Sequence, residues 1–341
     1  MKVSRLVCIF TILFAISQNE IQAQENSAWE REFFLNDARA KINKKEYELA
    51  ISILGELEFF HPDDAEIILE KSISYFQLQR FEEACFTLKP LIQTGKGKAI
   101  HYQLYGNSLD ALGNSVAADS AYINGLLKFP DAGELYMELG ITALSNGDSA
   151  RACGWWERGM EMAPAFASNY YWAALTYSQG QFMIRSLLYG EIFLNLESHS
   201  DRTEEISDSL FSWYARPLPA LQGEQISLFE SEFQRAWNFE SPGKENLSIS
   251  MLHKARMLAL INWVKTNPNW HHPFWDRMEK LQSVGLFDAY DHWLFANARS
   301  GEAIDWRNKY PDLYAGFGYW FMKNPLIFKK GKHSIPALFY N

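Results

Sequence analysis

Cysteine is scarce in this chain, with three among 341 residues, and Cys8 lies in an apolar run near the N-terminus. The sequence also lacks Cys or His pairs at zinc-binding spacing, a Gly-rich phosphate loop and a serine in a nucleophile-elbow pattern. These absences give no support to a structural zinc site, a P-loop or a serine hydrolase. We therefore expect no metal, no cofactor and no enzyme activity.

Positive charge is also in short supply. The chain has 32 Lys and Arg against 41 Asp and Glu, a formal net charge of −9. Residues 201–341 contain 16 of each, so the negative excess lies in the first 200 residues. An acidic chain is a poor match for nucleic acid or an anionic membrane. We expect neither as a partner, whereas a basic protein is allowed; an acidic surface also serves solubility.

Long apolar runs are missing after the first 24 residues. There, Lys2 and Arg5 precede the apolar stretch 6–16, and Ile21-Gln22-Ala23 is typical of a signal-peptidase site. The stretch is shorter than the ~20 residues of a membrane span. We predict that residues 1–24 are a cleaved signal peptide, with an uncleaved anchor as the alternative. The mature chain is then periplasmic or secreted.

A repeat of 34 residues dominates the first half. Small side chains recur at this spacing in two columns, which are Ala38, Ser72, Gly106, Gly140 and Ala174, and Ala50, Ala84, Ala118, Ala152 and Ser186. A third column has proline at 62, 130 and 164. A period of this length predicts a solenoid of helical hairpins. Small residues let two antiparallel helices approach to ~8–10 Å.

The repeat resembles the tetratricopeptide (TPR) motif. The residues of the fourth unit that carry the resemblance are Tyr136, Leu139, Gly140, Ala152, Trp156 and Pro164, and those of the third are Tyr102, Tyr105, Gly106, Gly113, Ala118, Tyr122 and Pro130. The other units fit less well, since Lys96 replaces a proline and Gly180 comes one residue early. The resemblance implies an all-α fold and a protein-binding function. We predict about five repeats over residues 25–199 and a separate α-helical domain of no recognised family over 200–341.

The repeat frame places Cys85 and Cys153 at one position of units two and four. Stacked units would hold them on the order of 20 Å apart, given ~8–10 Å between packed helices. A disulfide needs Cα atoms within about 7 Å. We predict two buried free thiols.

In the TPR family the first helix of each unit lines the concave face, which predicts the residues of a partner-binding groove. They are Leu35, Arg39, Leu69, Ile73, Gln103, Asn107, Asp110, Met137, Ile141, Tyr171 and Leu175. The set is mostly apolar, with one polar patch at Gln103, Asn107 and Asp110. A long apolar groove is rarely left exposed to solvent, so we expect another segment to fill it. Either a partner helix or peptide lies in it, or the chain's own C-terminal half does, and the sequence leaves both open.

The C-terminal half contains eight of the twelve tryptophans and predicts helices at 224–239, 248–266, 273–284, 286–299 and 311–323. The helix around 251–264 is apolar on nearly every side, which indicates a buried position. The cluster of His271, His272 and Asp276, with His292 as the next histidine, is the one place to look for a metal or acid–base site, and adjacent histidines are poor ligands for one ion.

Together these features predict a scaffold or accessory subunit of a periplasmic or envelope assembly, associated with the envelope through its protein partner. The alternative is a carbohydrate-binding protein with aromatic platforms in the C-terminal half, where Trp270 and Trp275 would stack on sugars.

Overall fold

A computed structural model describes residues 28–180, 182–214, 216, 247–266 and 273–328. Within these ranges every regular element is a helix and no strand occurs. The all-α class is therefore confirmed. The chain divides into two compact units, Met1–Lys128 and Phe129–Asn341, and each is described by itself.

The described part of the first unit consists of six helices that form three hairpins. They are α1 (28–43), α2 (Tyr47–Phe60), α3 (Ala65–Gln77), α4 (Phe81–Gln93), α5 (Ala99–Ala111) and α6 (Ser115–Lys128).

In the second unit two further hairpins come first, and shorter helices follow. The hairpin helices are α7 (Gly133–Ser145), α8 (Ser149–Met162), α9 (Ala167–Tyr177) and α10 (Met183–Leu196). The later helices are α11 (Asp201–Tyr214), α12 (Ile249–Thr266), α13 (Pro273–Ser283), α14 (Phe287–Leu294), α15 (Ser300–Lys309) and α16 (Pro311–Lys323).

The helices keep the period of 34 residues. The second helices of the five hairpins begin at Tyr47, Phe81, Ser115, Ser149 and Met183. The turns repeat as well, because residues with positive φ stand at Lys45, Gln79, Gly113 and Gly147. This left-handed conformation closes a helix end and favours glycine. Residue 181, the next in this series, lies outside the described residues.

Every residue of the two predicted small-residue columns is buried. In the first unit, a Cβ on Gly106 would overlap the ring of Tyr122, and the Tyr122 hydroxyl donates a hydrogen bond to Asn107 Oδ1 at 2.7 Å. The helices of the hairpin therefore meet where the sequence places glycine and alanine, as close packing requires.

In each unit a side-chain hydrogen bond at the equivalent repeat position links consecutive hairpins. In the first unit Lys98 N–H donates to His101 Nδ1, so His101 Nε2 carries the proton and donates to Ala65 O at 2.8 Å. In the second unit Asn169 Nδ2 donates to Gly133 O at 3.2 Å, at positions 68 residues later. The link joins α5 to α3 and α9 to α7.

One hydrophobic core extends through the second unit, from Ala143 in the fourth hairpin to Leu326 after α16. The last two hairpins and the C-terminal helices thus share a core. The division between compact units lies at residues 128 and 129, whereas the sequence predicts a change of domain at 199 and 200; that boundary stays a prediction.

Four of the C-terminal helices, α12, α13, α14 and α16, lie where the sequence predicts them; α11 and α15 were not predicted, and the stretch 224–239 lies outside the described residues. On α12, Leu252, Ala255 and Arg256 are buried, but Lys254 and Leu258 are exposed. The sequence predicts a buried helix that is apolar on nearly every side; α12 is buried along one face, but another face meets solvent, so the prediction holds only in part.

Cys85 is a half-buried free thiol and Cys153 a buried one. Burial raises the pKa of Cys85 to about 11 and that of Cys153 to about 12. Both are therefore unreactive thiols at neutral pH, because the thiolate is the nucleophile.

Candidate functional site

The predicted groove residues of the first unit occupy three different environments. Leu35 is fully buried among core residues, so its side chain is not open to a partner and we do not retain it. Arg39 Nε donates to Glu70 Oε1 at 2.7 Å, which joins α1 to α3. Leu69 and Ile73 on α3 are half-buried and remain partly open.

The predicted polar patch is engaged within the chain. Asn107 accepts the Tyr122 hydroxyl, and Asp110 Oδ1 accepts Ser115 Oγ–H at 2.7 Å. Gln103 also has an interaction partner. Asn107 and Asp110 hold their own hairpin together through these hydrogen bonds. A bound chain would have to use them alongside these internal hydrogen bonds.

The first helices of the second unit carry the other predicted groove residues. Met137 and Ile141 on α7 and Leu175 on α9 are half-buried, whereas Tyr171 is buried. The Tyr171 hydroxyl donates to Glu205 Oε2 at 2.6 Å. Ile141 and Leu175 also pack against the core of the second unit.

The same kind of apolar column occurs once in each unit. On α3, Leu69, Ile73 and Phe76 stand at i, i+4 and i+7 and are partly open. On α7 the residues 68 positions later have the same spacing and the same partial exposure; they are Met137, Ile141 and Leu144. Residues at this spacing share one face of a helix. We name these two sets the inner columns.

The first hairpin also exposes large aromatic side chains. Trp29 stacks on Phe33 with ring centroids 5.3 Å apart, and Phe59 and Phe60 are 79% and 74% exposed. A small cavity of about 190 Å³ opens beside Phe60. Exposed aromatic surface of this kind is typical of interaction sites.

A buried network of charges lies in the second unit, and the sequence did not predict it. Arg256 on α12 donates from Nη2 to Glu191 Oε1 at 2.7 Å and from Nε to Asp291 Oδ1 at 2.8 Å. All three side chains are less than one-tenth exposed. Burial lowers the pKa of Arg256, but the two carboxylates outweigh it and hold that pKa above its ordinary value. Arg256 thus stays charged and joins α10, α12 and α14.

Neutral groups extend this network to a second arginine. The Tyr290 hydroxyl donates to Glu191 Oε1 at 2.9 Å, and Asn195 Nδ2 donates to Tyr290 at 2.8 Å. Arg277 Nε then donates to Asn195 Oδ1 at 2.9 Å. Two arginines and two carboxylates are thereby connected, so their charges balance.

Two histidines approach carboxylates at the edge of this network. His253 Nδ1 lies 2.9 Å from Asp291 Oδ2, and His292 Nδ1 lies 3.3 Å from Asp288 Oδ1. Such pairs fix the orientation of an imidazole, as in acid–base sites. Among the described residues, no serine or cysteine is recorded within hydrogen-bonding distance of either ring. The pairs explain the packing of α12 and α14 without invoking catalysis.

The histidine cluster predicted from the sequence is only partly described. His271 and His272 lie outside the described residues, and Asp276 is exposed on α13. Across the described ranges, no three His, Cys, Asp or Glu side chains come together in a way that could hold a metal ion. Over the same ranges, no helix is both long and apolar enough to cross a membrane.

The signal that the sequence offered for the charge network was Arg256 itself, which interrupts an apolar helix. A charge in a buried helix requires partners. The sequence could not name Glu191 and Asp291, because they are 65 residues before and 35 residues after it.

No protein-family model matches the chain, and no curated protein matches it. Among solved structures, Pseudomonas aeruginosa pilF shares 14% identity, with 62% of this chain and 99% of that chain covered and a TM-score of 0.46. The C-terminal part of a TPR repeat-containing protein from Cytophaga hutchinsonii shares 12% identity, with 80% and 98% covered and a TM-score of 0.45.

A tetratricopeptide repeat protein from Parabacteroides merdae shares 10% identity, with 74% and 98% covered and a TM-score of 0.42. These likenesses concern the fold alone. The repeats themselves are established by the hairpins described above.

Proposed function

We propose that this protein is an interaction scaffold that binds a helix or an extended peptide of another protein on an inner column, one of which is present in each unit. It would act in a periplasmic or envelope assembly, as its predicted signal peptide suggests. The observation that carries the proposal is the apolar column at i, i+4 and i+7, which recurs on α3 and α7 and is partly open in both units. Partner helices are commonly bound by such anchors.

The composition of the columns supports a protein ligand. Leu69, Ile73 and Phe76 present aliphatic and aromatic surface, and Met137 adds a flexible side chain that adapts to different partners. Glu66 and Glu70 stand beside the first column on α3, but they already pair with Arg31 and Arg39 of α1. The feature that selects a partner is therefore the apolar surface, which fits the apolar face of a helix or peptide.

The variant that tests the proposal belongs in the first unit. Glutamates at Ile141 and Leu175 would disturb the core against which both residues pack, so loss of binding there would be ambiguous. Ile73→Glu places one charge in a partly open column. Phe86→Glu is the matched control, because Phe86 is 81% exposed on α4, the second helix of the same hairpin.

The experiment is chemical crosslinking of the tagged protein in the native cell envelope, followed by identification of the captured proteins. We expect one or two partners that the wild type and Phe86→Glu both capture and that Ile73→Glu captures at least tenfold less. Circular dichroism must show equal helix content for all three. Equal capture by Ile73→Glu, or no specific capture by the wild type, would contradict the proposal.

A further inference from the structure

A cavity of about 440 Å³ opens to solvent in the second unit, and none of its lining residues belongs to the inner columns. It lies between the residues that follow α10, the first two turns of α11 and the end of α14 with the turn after it. Its volume is within the range of small-molecule sites, roughly 300–1,000 Å³.

The cavity has one aromatic wall, made by Trp293. The indole is held from other sides, because its ring centroid lies 4.8 Å from that of Phe321 and 5.6 Å from that of Tyr290. Trp293 is half-buried and is among the residues that line the cavity. Trp275, which the sequence predicted as a sugar platform, is buried and does not line this cavity.

Hydrogen-bonding side chains make most of the rest of the wall, together with Leu194, Leu294 and Ala296. Four of them, His199, Asp201, Glu204 and Asn297, are exposed and form no hydrogen bond with another described side chain or backbone group. Ser207 is already engaged, since its hydroxyl donates to Leu294 O at 2.7 Å. The open groups include two carboxylates, an amide and an imidazole, so the cavity offers both donors and acceptors.

This set of groups restricts the ligand. An anion would meet Asp201 and Glu204, and an apolar molecule would form no hydrogen bond with the four open polar side chains. Both carboxylates stand in the first turn of α11, where the helix dipole stabilises them without a bound cation. A metal ion finds no group of three ligands in the described residues. A neutral polyhydroxylated ring satisfies all conditions, because its hydroxyls both donate and accept and its C–H face packs on an indole.

We propose that this cavity binds a sugar ring of a neutral oligosaccharide, with Trp293 against the ring face and Glu204 and Asn297 bonded to its hydroxyls. This cavity shares no residue with the inner columns, so the result of its test does not depend on the proposed protein-binding role. Together the two sites would let one chain hold a protein partner and a glycan.

The test is isothermal titration calorimetry and saturation-transfer NMR on the mature protein with maltohexaose, cellohexaose and chitohexaose. Spermidine and inorganic phosphate serve as cationic and anionic probes. We expect one of the oligosaccharides to bind and both charged probes to fail.

Asn297→Ala and Glu204→Ala should each weaken that binding at least tenfold. Asp208→Ala is the matched control, because Asp208 is an exposed acidic residue of α11 that does not line the cavity; it should bind as the wild type does. Unchanged melting temperatures would show that all variants are folded. The proposal is overturned if no oligosaccharide binds at millimolar concentration, if spermidine binds in their place, or if both cavity variants bind normally.

Discussion

Gly140 and Trp156 are packed so tightly that a Cβ at position 140 would overlap the indole of Trp156. The indole is also fixed by its N–H, which donates to Met137 O at 3.2 Å. A repeat position that looks merely small in the sequence is thus one where a single methyl group does not fit.

Gly140→Ala should therefore destabilise the protein. Alanine favours a helix over glycine by about 1 kcal/mol, but forcing a methyl group against a fully buried Trp156 costs typically ~1–3 kcal/mol and breaks the bond to Met137 O. We expect a net loss of about 1–2 kcal/mol in the free energy of unfolding, measured by urea denaturation. Gly154→Ala on α8 is the control, since its Cβ would meet open space and should stabilise by up to ~1 kcal/mol. Equal effects would contradict the packing argument.

Gln79→Gly should stabilise the protein. Gln79 has a φ of 58° in the turn between α3 and α4, and a side chain in this conformation costs about 1 kcal/mol. Two repeat periods later the equivalent turn residue is Gly147, with a φ of 81°. We expect Gln79→Gly to raise the unfolding free energy by about 0.5–1 kcal/mol and Gly147→Ala to lower it by a similar amount. Thermal and urea unfolding would measure both, and a destabilised Gln79→Gly would refute the account.

The repeat was predictable because its causes are local and recur. A side chain such as Tyr136 is fixed by the backbone of Pro130, which accepts its hydroxyl at 3.0 Å, and Tyr170 is held in the same way by Pro164 at 3.1 Å. The tyrosine of each pair comes six residues after its proline, and the second pair follows the first by one repeat period. A column in the sequence therefore corresponds to a contact in the fold.

The C-terminal interactions were not predictable for the opposite reason. Glu191 belongs to the last repeat and Asp291 to a helix 100 residues later, and no spacing in the sequence joins them. Groove residues fell between these cases. The period placed Ile73 and Ile141 at equivalent positions of α3 and α7, but it did not show that Leu35 is buried in a core or that Asn107 is hydrogen-bonded to Tyr122.

Arg256→Met should be strongly destabilising. The substitution leaves Glu191 and Asp291 buried without the cation that both contact, and breaking a buried pair in this way costs about 3–5 kcal/mol. Arg158→Met removes an exposed partner of Glu161 and should cost less than about 1 kcal/mol. Urea denaturation of both variants measures the contrast. A loss below about 1 kcal/mol for Arg256→Met would mean that the network contributes little.

The pair of His292 and Asp288 should make stability depend on pH. Burial lowers the pKa of His292, but its hydrogen bond with Asp288 outweighs this, so the pKa is raised above its ordinary value. Burial raises the pKa of Asp288, but the hydrogen bond to His292 and the charges of His253 and His292 together lower it by more, so the net pKa lies below its ordinary value. The contribution of the histidine is complete below its unfolded pKa of about 6.5 and is lost as the pH rises through the higher folded pKa.

The contribution of the carboxylate is present above about pH 3.9 and is lost as the pH falls through its lower folded pKa. Both groups are therefore charged and paired near pH 5, whereas at higher pH the charge on His292 is lost as the pH passes its raised folded pKa. Asp288→Asn should reduce the free energy of unfolding more at pH 5 than at pH 9, as measured by urea denaturation at each pH. Asp305→Asn, at an exposed position of α15, should show no such difference. If Asp288→Asn were equally destabilising at both values, the pairing would not be what stabilises α14.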